Sequence, residues 1–209
     1  MASDRSNIAL SPNAPAPKVG AFLAPPPAPL LRSPLFHVVL VEPEIPNNTG
    51  NIGRTCVATG CRLHLVRPLG FDLSEKACRR AGLDYWPRLD WTEHAGWPAY
   101  AERMDPARTW FLSTKAPRCV FDVTLNREDH LVFGRETRGL PDELLAQHPD
   151  RVLSLPLATG ERSLNLATAV CAVVYEGVRQ LRARGRCTLT PDGRLVVDDA
   201  APRADLPRS

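Results

Sequence analysis

The chain has 209 residues, which is enough for one domain with a full hydrophobic core. Its hydrophobic fraction of 44% and charged fraction of 23% are ordinary for a globular protein, and no apolar stretch predicts a membrane span or a secretory signal, so we expect a cytoplasmic location. The net charge of +3 is not concentrated in the central region, so any nucleic-acid partner requires arginines gathered on one face.

Composition divides the chain into three segments. Residues 1–34 contain eight prolines and predict a disordered leader, which is either a partner-binding tail or a segment without function. Residues 35–185 predict the folded domain. Residues 186–209 predict a flexible C-terminal tail with a weak hairpin at 188–197 around Asp192-Gly193.

Between these tails, short apolar runs alternate with helical patterns. The predicted strands cover residues 36–42, 62–66, 89–92, 109–113, 130–133 and 152–155. The predicted helices cover residues 49–59, 74–81, 93–104, 141–147 and 164–183. Gly60 ends the first helix, and Pro98 delays the start of the third. This alternation predicts an α/β fold with a mostly parallel sheet and helices on both faces.

Several kinds of site find no support in the sequence. The six cysteines form no C-x-x-C pair, and no two histidines have metal-ligand spacing, so we expect no metal. The histidines form no catalytic dyad or triad pattern, and no serine lies in a nucleophile elbow, which disfavours a hydrolase. Glycine-rich dinucleotide and Walker motifs are also missing.

Two polar loops in the C-terminal half carry the strongest functional signal. Residues 134–141 read Gly-Arg-Glu-Thr-Arg-Gly-Leu-Pro and follow one predicted strand. Residues 158–167 read Ala-Thr-Gly-Glu-Arg-Ser-Leu-Asn-Leu-Ala and follow the next. Ligands of open α/β sheets bind where strands end, so both loops are predicted to border one binding site.

These loops resemble the SPOUT class of RNA methyltransferases, and residues 42–55, Glu-Pro-Glu-Ile-Pro-Asn-Asn-Thr-Gly-Asn-Ile-Gly-Arg-Thr, are similar to its TrmL (YibK-like) branch. The resemblance runs from about residue 36 to 185. It implies a C-terminal trefoil knot, S-adenosyl-L-methionine as cofactor and 2′-O-methylation of the tRNA wobble nucleotide, cytidine or modified uridine at position 34. It also implies a homodimer whose active site lies at the subunit interface and binds the anticodon stem-loop. Periodicity alone predicts an unknotted fold, because knots are rare.

The resemblance implies four cofactor-binding residues, each of which has a simpler alternative. They are Leu112, Gly134, Leu155 and Ser163. Taken alone, the two leucines read as core residues of strands. Gly134 reads as a turn glycine and Ser163 as a helix N-cap.

The resemblance also makes Arg54 the catalytic residue. Arginine is always protonated, so it acts either as a strongly perturbed base or, more easily, as an electrostatic anchor, and the sequence does not choose between them. The alternative is a solvated helix arginine. The implied substrate-binding residues are Asn48, Arg138, Asn165 and Tyr175.

These substrate-binding positions and the neighbouring Glu136 also have alternatives. Asn48 is alternatively a residue whose side chain hydrogen-bonds the backbone of a turn or helix cap, and Tyr175 is alternatively a core tyrosine. Glu136 and Asn165 either border the pocket or bond backbone N–H groups. Two further positions depart from the family pattern: Gly53, which is expected to loosen the first helix, and Arg135, which is expected to alter RNA contact.

Three other functions remain open. The first is 2′-O-methylation of ribosomal RNA, although the proline-rich leader does not read as the RNA-binding domain that such enzymes add. The second is a non-catalytic RNA-binding knot protein. The third is a small-molecule binder at the same strand ends, supported by the even charge balance of residues 35–185.

Overall fold

The structure is a computed structural model that describes residues 33–72 and 84–196. The strands are β1 Phe36–Val41, β2 Arg62–Val66, β3 Trp91–His94, β4 Thr109–Leu112, β5 Asp129–Phe133, β6 Val152–Leu153, β7 Thr188–Leu189 and β8 Leu195–Val196. The α-helices are α1 Pro46–Thr59, α2 Trp97–Ala101, α3 Asp142–Ala146 and α4 Leu166–Ala183. Short 3-10 turns occupy Trp86–Arg88, Pro106–Arg108, Val120–Asp122 and Pro149–Arg151.

Six strands form one parallel sheet in the order β3-β2-β1-β5-β4-β6. The predicted parallel α/β architecture is therefore confirmed. Because β5, β4 and β6 are neighbours, the loops that follow them leave the same edge of the sheet. Ligands of such folds bind at this carboxyl edge.

The sheet is covered on both faces, as the apolar runs predict. Along β1, Phe36, Val38 and Leu40 belong to one core cluster with α1 and α4 residues, whereas Val39 and Val41 belong to a second cluster beneath α2 and α3. Alternate residues of a strand point to opposite faces, so a strand buried on both faces reads as a continuous apolar run.

Two glycines fix how α1 and α4 meet the rest of the domain. Gly60 has φ 68° and caps α1, because its left-handed backbone ends the helix without a side-chain clash. At Gly177 on α4, an added Cβ would lie 2.4 Å from the Phe36 ring, so only glycine lets this helix approach β1 so closely.

Some element boundaries differ from those predicted. Residues 93 and 94 continue β3, and α2 spans only Trp97–Ala101 with Pro98 in its first turn, so the predicted helix 93–104 was too long at both ends. Helix α1 starts three residues early because Pro46 is tolerated in the first turn. The predicted helix at 74–81 lies outside the described residues.

The predicted hairpin near the C-terminus is confirmed. Strands β7 and β8 pair antiparallel on either side of Asp192-Gly193, and Gly193 has φ 81°. Cys187 is buried in the α1–α4 side of the core. Among the described helices, none has the length and apolar character needed to cross a bilayer.

Candidate active site at the carboxyl edge of the sheet

A cavity of about 680 Å³ opens at the carboxyl ends of β4, β5 and β6. Its walls come from the loop after β4, from loop 134–140 after β5 and from the segment that joins β6 to α4. The start of α1 closes one side through Ile45 and Asn48. The cavity therefore lies where parallel strands of this fold class present ligand sites.

Seven of the nine predicted site residues line this one cavity. They are Asn48, Leu112, Gly134, Arg138, Leu155, Ser163 and Asn165. Residues separated by more than a hundred positions in the chain thus meet because the strand order brings their loops together. The other two, Arg54 and Tyr175, do not line it.

Loop 134–140 is a tight turn whose backbone closes on itself. The Arg135 N–H donates to the Gly139 carbonyl at 3.2 Å, and the Gly139 N–H donates back at 2.9 Å. A Cβ on Gly134 would lie 2.1 Å from the Gly139 carbonyl carbon and 2.2 Å from the Leu140 nitrogen. Gly134 is therefore required by close backbone approach, and the plain-turn interpretation is insufficient.

A relay of three polar side chains connects the loops of the cavity. Glu136 accepts from the Glu44 N–H at 2.8 Å and from the Asn48 side-chain amide at 3.0 Å. The Asn48 carbonyl oxygen accepts from the Asn165 amide at 2.9 Å. Asn165 in turn accepts from the Ala167 and Thr168 N–H groups. We call Glu136, Asn48 and Asn165 the cavity relay.

The cavity relay resolves two alternatives left by the sequence. Asn165, not Ser163, is the N-cap of α4, so the capping interpretation of Ser163 is wrong and its exposed side chain borders the cavity. Glu136 and Asn165 do bond backbone N–H groups, and both also line the cavity. Asn48 is buried, with 6% of its surface exposed, so it is more than a turn residue.

Reciprocal contacts also tie the loop after β1 to loop 134–140. Thr137 donates its N–H and hydroxyl to the Glu44 carboxylate, the hydroxyl at 2.8 Å from Oε2. Arg135 forms an ion pair with Glu42, which holds φ 52°, a conformation uncommon for a residue with a side chain. Arg135 is thus engaged within the loops, and its effect on RNA contact stays a prediction.

The two predicted leucines have a double role. Leu112 and Leu155 are half-buried, pack against the core and line the cavity at the ends of their strands. The interpretation of both leucines as plain core residues is therefore incomplete. Two further apolar residues that line the cavity, Ile45 and Leu164, were not predicted from the sequence. They are 42% and 43% exposed. Their signal was an apolar side chain within a polar loop.

Basic side chains that border the cavity are of two kinds, paired with a carboxylate or unpaired. Lys115 is paired with Asp142 at 2.6 Å. Among the described residues, Arg138 and Arg162 have no ion-pair partner, so they remain available to an anionic ligand. No set of three or more metal-binding side chains occurs in the described part of the chain.

Arg54 projects from the exposed side of α1. Its guanidinium stacks 4.5 Å from the centre of the Tyr85 ring and lies 3.4 Å from the Asp84 carboxylate. The Tyr85 hydroxyl donates to the Gly50 carbonyl, and a Cβ on Gly53 would meet the Leu89 side chain at 3.1 Å. Gly53 therefore admits this neighbouring segment against α1, and the helix is intact around it.

Tyr175 lies on the exposed face of α4, with 51% of its surface exposed. The core-tyrosine interpretation is therefore wrong. Tyr175 and Arg54 both belong to helices that pack against each other on one side of the sheet. Both residues lie outside the cavity of the single chain, on the exposed surface of α1 and α4.

Comparison with known proteins agrees with this geometry. The sequence profile described as the SpoU rRNA Methylase family matches residues 35–175. A tRNA (cytidine(34)-2′-O)-methyltransferase of Saccharophagus degradans is 50% identical over 152 residues, which cover 72% of this chain and 99% of the relative. A Yersinia pestis protein of the same name is 46% identical over 153 residues, covering 70% and 94%.

Solved structures share the fold. One, reported as giving structural insights into the 2-OH methylation of C/U34 on tRNA, matches with a TM-score of 0.66 and 45% identity, covering 71% of this chain and 97% of that one. The AviRb methyltransferase of Streptomyces viridochromogenes, in complex with AdoMet, matches with a TM-score of 0.62 and 24% identity, covering 73% and 62%. With its matched profile, its closely similar relatives and its parallel sheet, the chain belongs to the SpoU rRNA methylase family.

Proposed function

We propose that the chain transfers a methyl group from S-adenosyl-L-methionine to the ribose 2′-hydroxyl of the wobble nucleotide, cytidine or modified uridine 34, of tRNA. The observation that carries the proposal is the single cavity in which seven predicted residues meet at the ends of β4, β5 and β6. The names of the relatives, which share up to 50% identity, supply the substrate. The proposal includes a cytoplasmic location for the enzyme.

The lining of the cavity fits a nucleoside cofactor. Leu112 and Leu155 offer apolar surface to an adenine ring, and loop 134–140 offers backbone groups at close range because Gly134 has no side chain. The Ser163 hydroxyl can bond a polar group of the ligand. When bound, adenosylmethionine supplies a methyl group on a positively charged sulfur.

The residues of this chain then have to hold the acceptor hydroxyl in line and stabilise the negative charge that develops on its oxygen as the hydroxyl proton passes to solvent. Correct alignment alone contributes roughly 7–11 kcal/mol in model reactions. We assign the electrostatic part to Arg54, because a guanidinium group carries a permanent positive charge and this one projects from the exposed side of α1. Arg138, which lines the cavity, is assigned to an RNA phosphate, and Asn48 and Asn165 hold the rim toward the substrate.

Because Arg54 lies outside the cavity of its own chain, the proposal includes a homodimer. Helices α1 and α4 pack together and present exposed residues at helical spacing. On α1 and α4 these residues are Asn47, Asn51, Arg54, Ala58, Thr168, Ala172, Tyr175 and Arg179. Pairing two such faces brings Arg54 and Tyr175 of one chain toward the cavity of the other.

The boundaries of the catalytic domain and its knot belong to the same proposal. Residues 35–185 form the methyltransferase domain, with 1–34 as leader and 186–209 as tail. The segments proposed to form the trefoil knot are loop 134–140 and the connection from β6 to α4. Both line the cavity, so a knot there would hold two cofactor-binding loops against each other.

Ribosomal RNA is the second candidate substrate, since the matched family carries rRNA in its description. To separate the two, purified protein is incubated with methyl-labelled adenosylmethionine and either tRNA or ribosomal RNA from cells that lack the enzyme. We expect label in tRNA alone. Label in ribosomal RNA alone would transfer the proposal to that substrate, and absence of transfer to both RNAs would contradict methyltransferase activity.

A further inference from the structure

A basic surface lies at the β6 edge of the sheet, near the residues where β4 and β6 begin. Its centre is Trp110 on β4, which is 6% exposed and whose indole N–H donates to Asp129 at 3.3 Å. The guanidinium of Arg151 lies 4.6 Å from the centre of the Trp110 ring, and that of Arg118 lies 5.8 Å from it. The two cations are thus gathered around one fixed aromatic ring.

The backbone that carries Arg118 is held in place by β6. The Ser154 N–H donates to the Arg118 carbonyl at 2.8 Å, and the Val120 N–H donates to the Ser154 carbonyl at 2.9 Å. Residue 154 immediately precedes the cavity residue Leu155, and Arg118 follows Lys115 by three positions. Arg118 is therefore tied through its backbone to the segment that leads into the cavity wall.

Neither guanidinium is neutralised by a carboxylate within the described ranges. Several other arginines are paired, as Arg62 is with Asp90 at 2.8 Å and Arg179 with Glu176 at 2.8 Å. Because both guanidinium groups lie near the same indole ring and lack a counter-charge, a polyanionic chain that passes this ring gains from both charges.

An exposed aromatic side chain completes this surface. Phe121 follows Arg118 by three residues on the short turn Val120–Asp122 and is 54% exposed. A large apolar ring open to solvent, three residues along the chain from an unpaired arginine, matches the chemistry of single-stranded nucleic acid, in which phosphates alternate with stackable bases.

We propose that Arg118, Arg151 and Phe121 form an auxiliary RNA-binding surface that contacts the substrate outside the methylated nucleotide. The two guanidinium groups bind backbone phosphates, and Phe121 stacks on an unpaired base. This inference rests on the proposed RNA methyltransferase function and extends it to a surface that is not part of the cavity.

The test measures direct binding of fluorescently labelled tRNA to the full chain as a function of salt. For Arg118→Ala/Arg151→Ala we expect the Kd to rise on the order of tenfold, and the slope of log Kd against log salt to fall by about 1.4, because two phosphate contacts are lost. The KM for tRNA rises in parallel, while kcat at saturating tRNA and the Kd for adenosylmethionine stay at wild-type values. Arg103→Ala/Arg194→Ala is the matched control, since it removes two exposed arginines elsewhere.

Two further variants separate charge from stacking. Arg118→Lys/Arg151→Lys keeps the charge and is expected to restore the salt slope. Phe121→Ser is expected to weaken tRNA binding with the salt slope unchanged. Equal losses in the Ala pair and the control pair would overturn the inference, as would wild-type binding by the Ala pair. A wild-type chain that binds no tRNA would overturn the proposed function itself, and the inference with it.

Discussion

At Gly134 only a hydrogen atom fits between the end of β5 and the backbone of residues 139 and 140. For Gly134→Ala we expect the loop to shift and the affinity for adenosylmethionine to fall at least tenfold, because a Cβ at 2.1 Å cannot be accommodated. Isothermal titration calorimetry measures this. Gly96→Ala is the control, since its Cβ meets only Pro98 at 3.7 Å. Wild-type affinity in Gly134→Ala would contradict the assignment of this loop to the cofactor.

Asn48 is the central member of the cavity relay, and its removal leaves polar groups on both sides without their partner. We expect Asn48→Ala to lower the free energy of unfolding by about 1–3 kcal/mol, and to weaken cofactor binding as well. Urea denaturation measures the first effect and calorimetry the second. Gln147→Ala, exposed at the end of α3 and outside the proposed dimer face, should change stability by less than about 0.5 kcal/mol. Equal changes in the two variants would argue against the relay.

At the residue scale, the sequence predicted which side chains meet better than it predicted where each one faces. Motif order and strand ends were enough to bring Gly134, Ser163 and Asn48 together. The alternative interpretation of Ser163 as a cap was wrong because Asn165 caps α4; either side chain can cap a helix, and only backbone geometry decides. The exposure of Tyr175 depends on how α4 packs, which the helical pattern alone leaves undetermined.

At the element scale, four histidines form a row across the non-catalytic part of the sheet. The ring nitrogens of His37 and His64 lie 2.9 Å apart, and those of His64 and His94 lie 3.0 Å apart. His130 stacks on His37 with ring centres 4.3 Å apart and contacts the Tyr100 hydroxyl. No spacing in the sequence indicated this row, because it depends on the register of four strands.

This row predicts acid sensitivity. Burial lowers the pKa of His37 to about 3, of His64 to about 2 and of His130 to about 4. The histidines of the unfolded chain therefore take up protons near pH 6.5, while the same rings stay neutral in the folded chain. The stability that these neutral rings contribute is fully present above that pH and is lost as the pH falls. Between pH 6.5 and pH 5, each of these histidines lowers the free energy of unfolding by on the order of 1–2 kcal/mol.

One buried acid opposes this trend. Burial raises the pKa of Asp129 to about 6, so its protonation favours the folded state as the pH falls below that value, by an amount similar to one histidine. Three histidines outweigh one aspartate, and we expect the urea midpoint to fall from pH 7.5 to pH 5. His64→Gln should flatten the dependence. An equally steep dependence in that variant would show that the row is not its cause.

At the scale of the whole molecule, the proposed dimer completes each cavity with Arg54 from the partner. Arg54→Ala and Gly134→Ala are each expected to be inactive alone. A mixed dimer has one site in which both the cavity and the arginine are wild type, so mixing the two variants should restore activity. If Arg54 served its own chain, both sites of the mixed dimer would be defective and no activity would return. Size-exclusion chromatography of each variant verifies that dimers persist.

The parallel sheet and its binding edge could be predicted from the alternation of apolar runs and helices, since that pattern has few topological solutions. The strand order β3-β2-β1-β5-β4-β6 could not, because it is set by packing between distant segments. The position of Arg54 outside the cavity has a similar cause. A sequence motif places a residue on a helix, but in the proposed dimer the subunit whose cavity that residue completes depends on how the two chains assemble.

The most direct test of the central claim is to map the methyl group that the enzyme adds. tRNA from cells lacking the enzyme is incubated with the wild-type chain or with Arg54→Ala and labelled adenosylmethionine, and nuclease digests are read by mass spectrometry. The account predicts a 2′-O-methyl group on nucleotide 34 with the wild-type chain, and its loss with the variant. A methyl group on a base, or on another nucleotide, would contradict it.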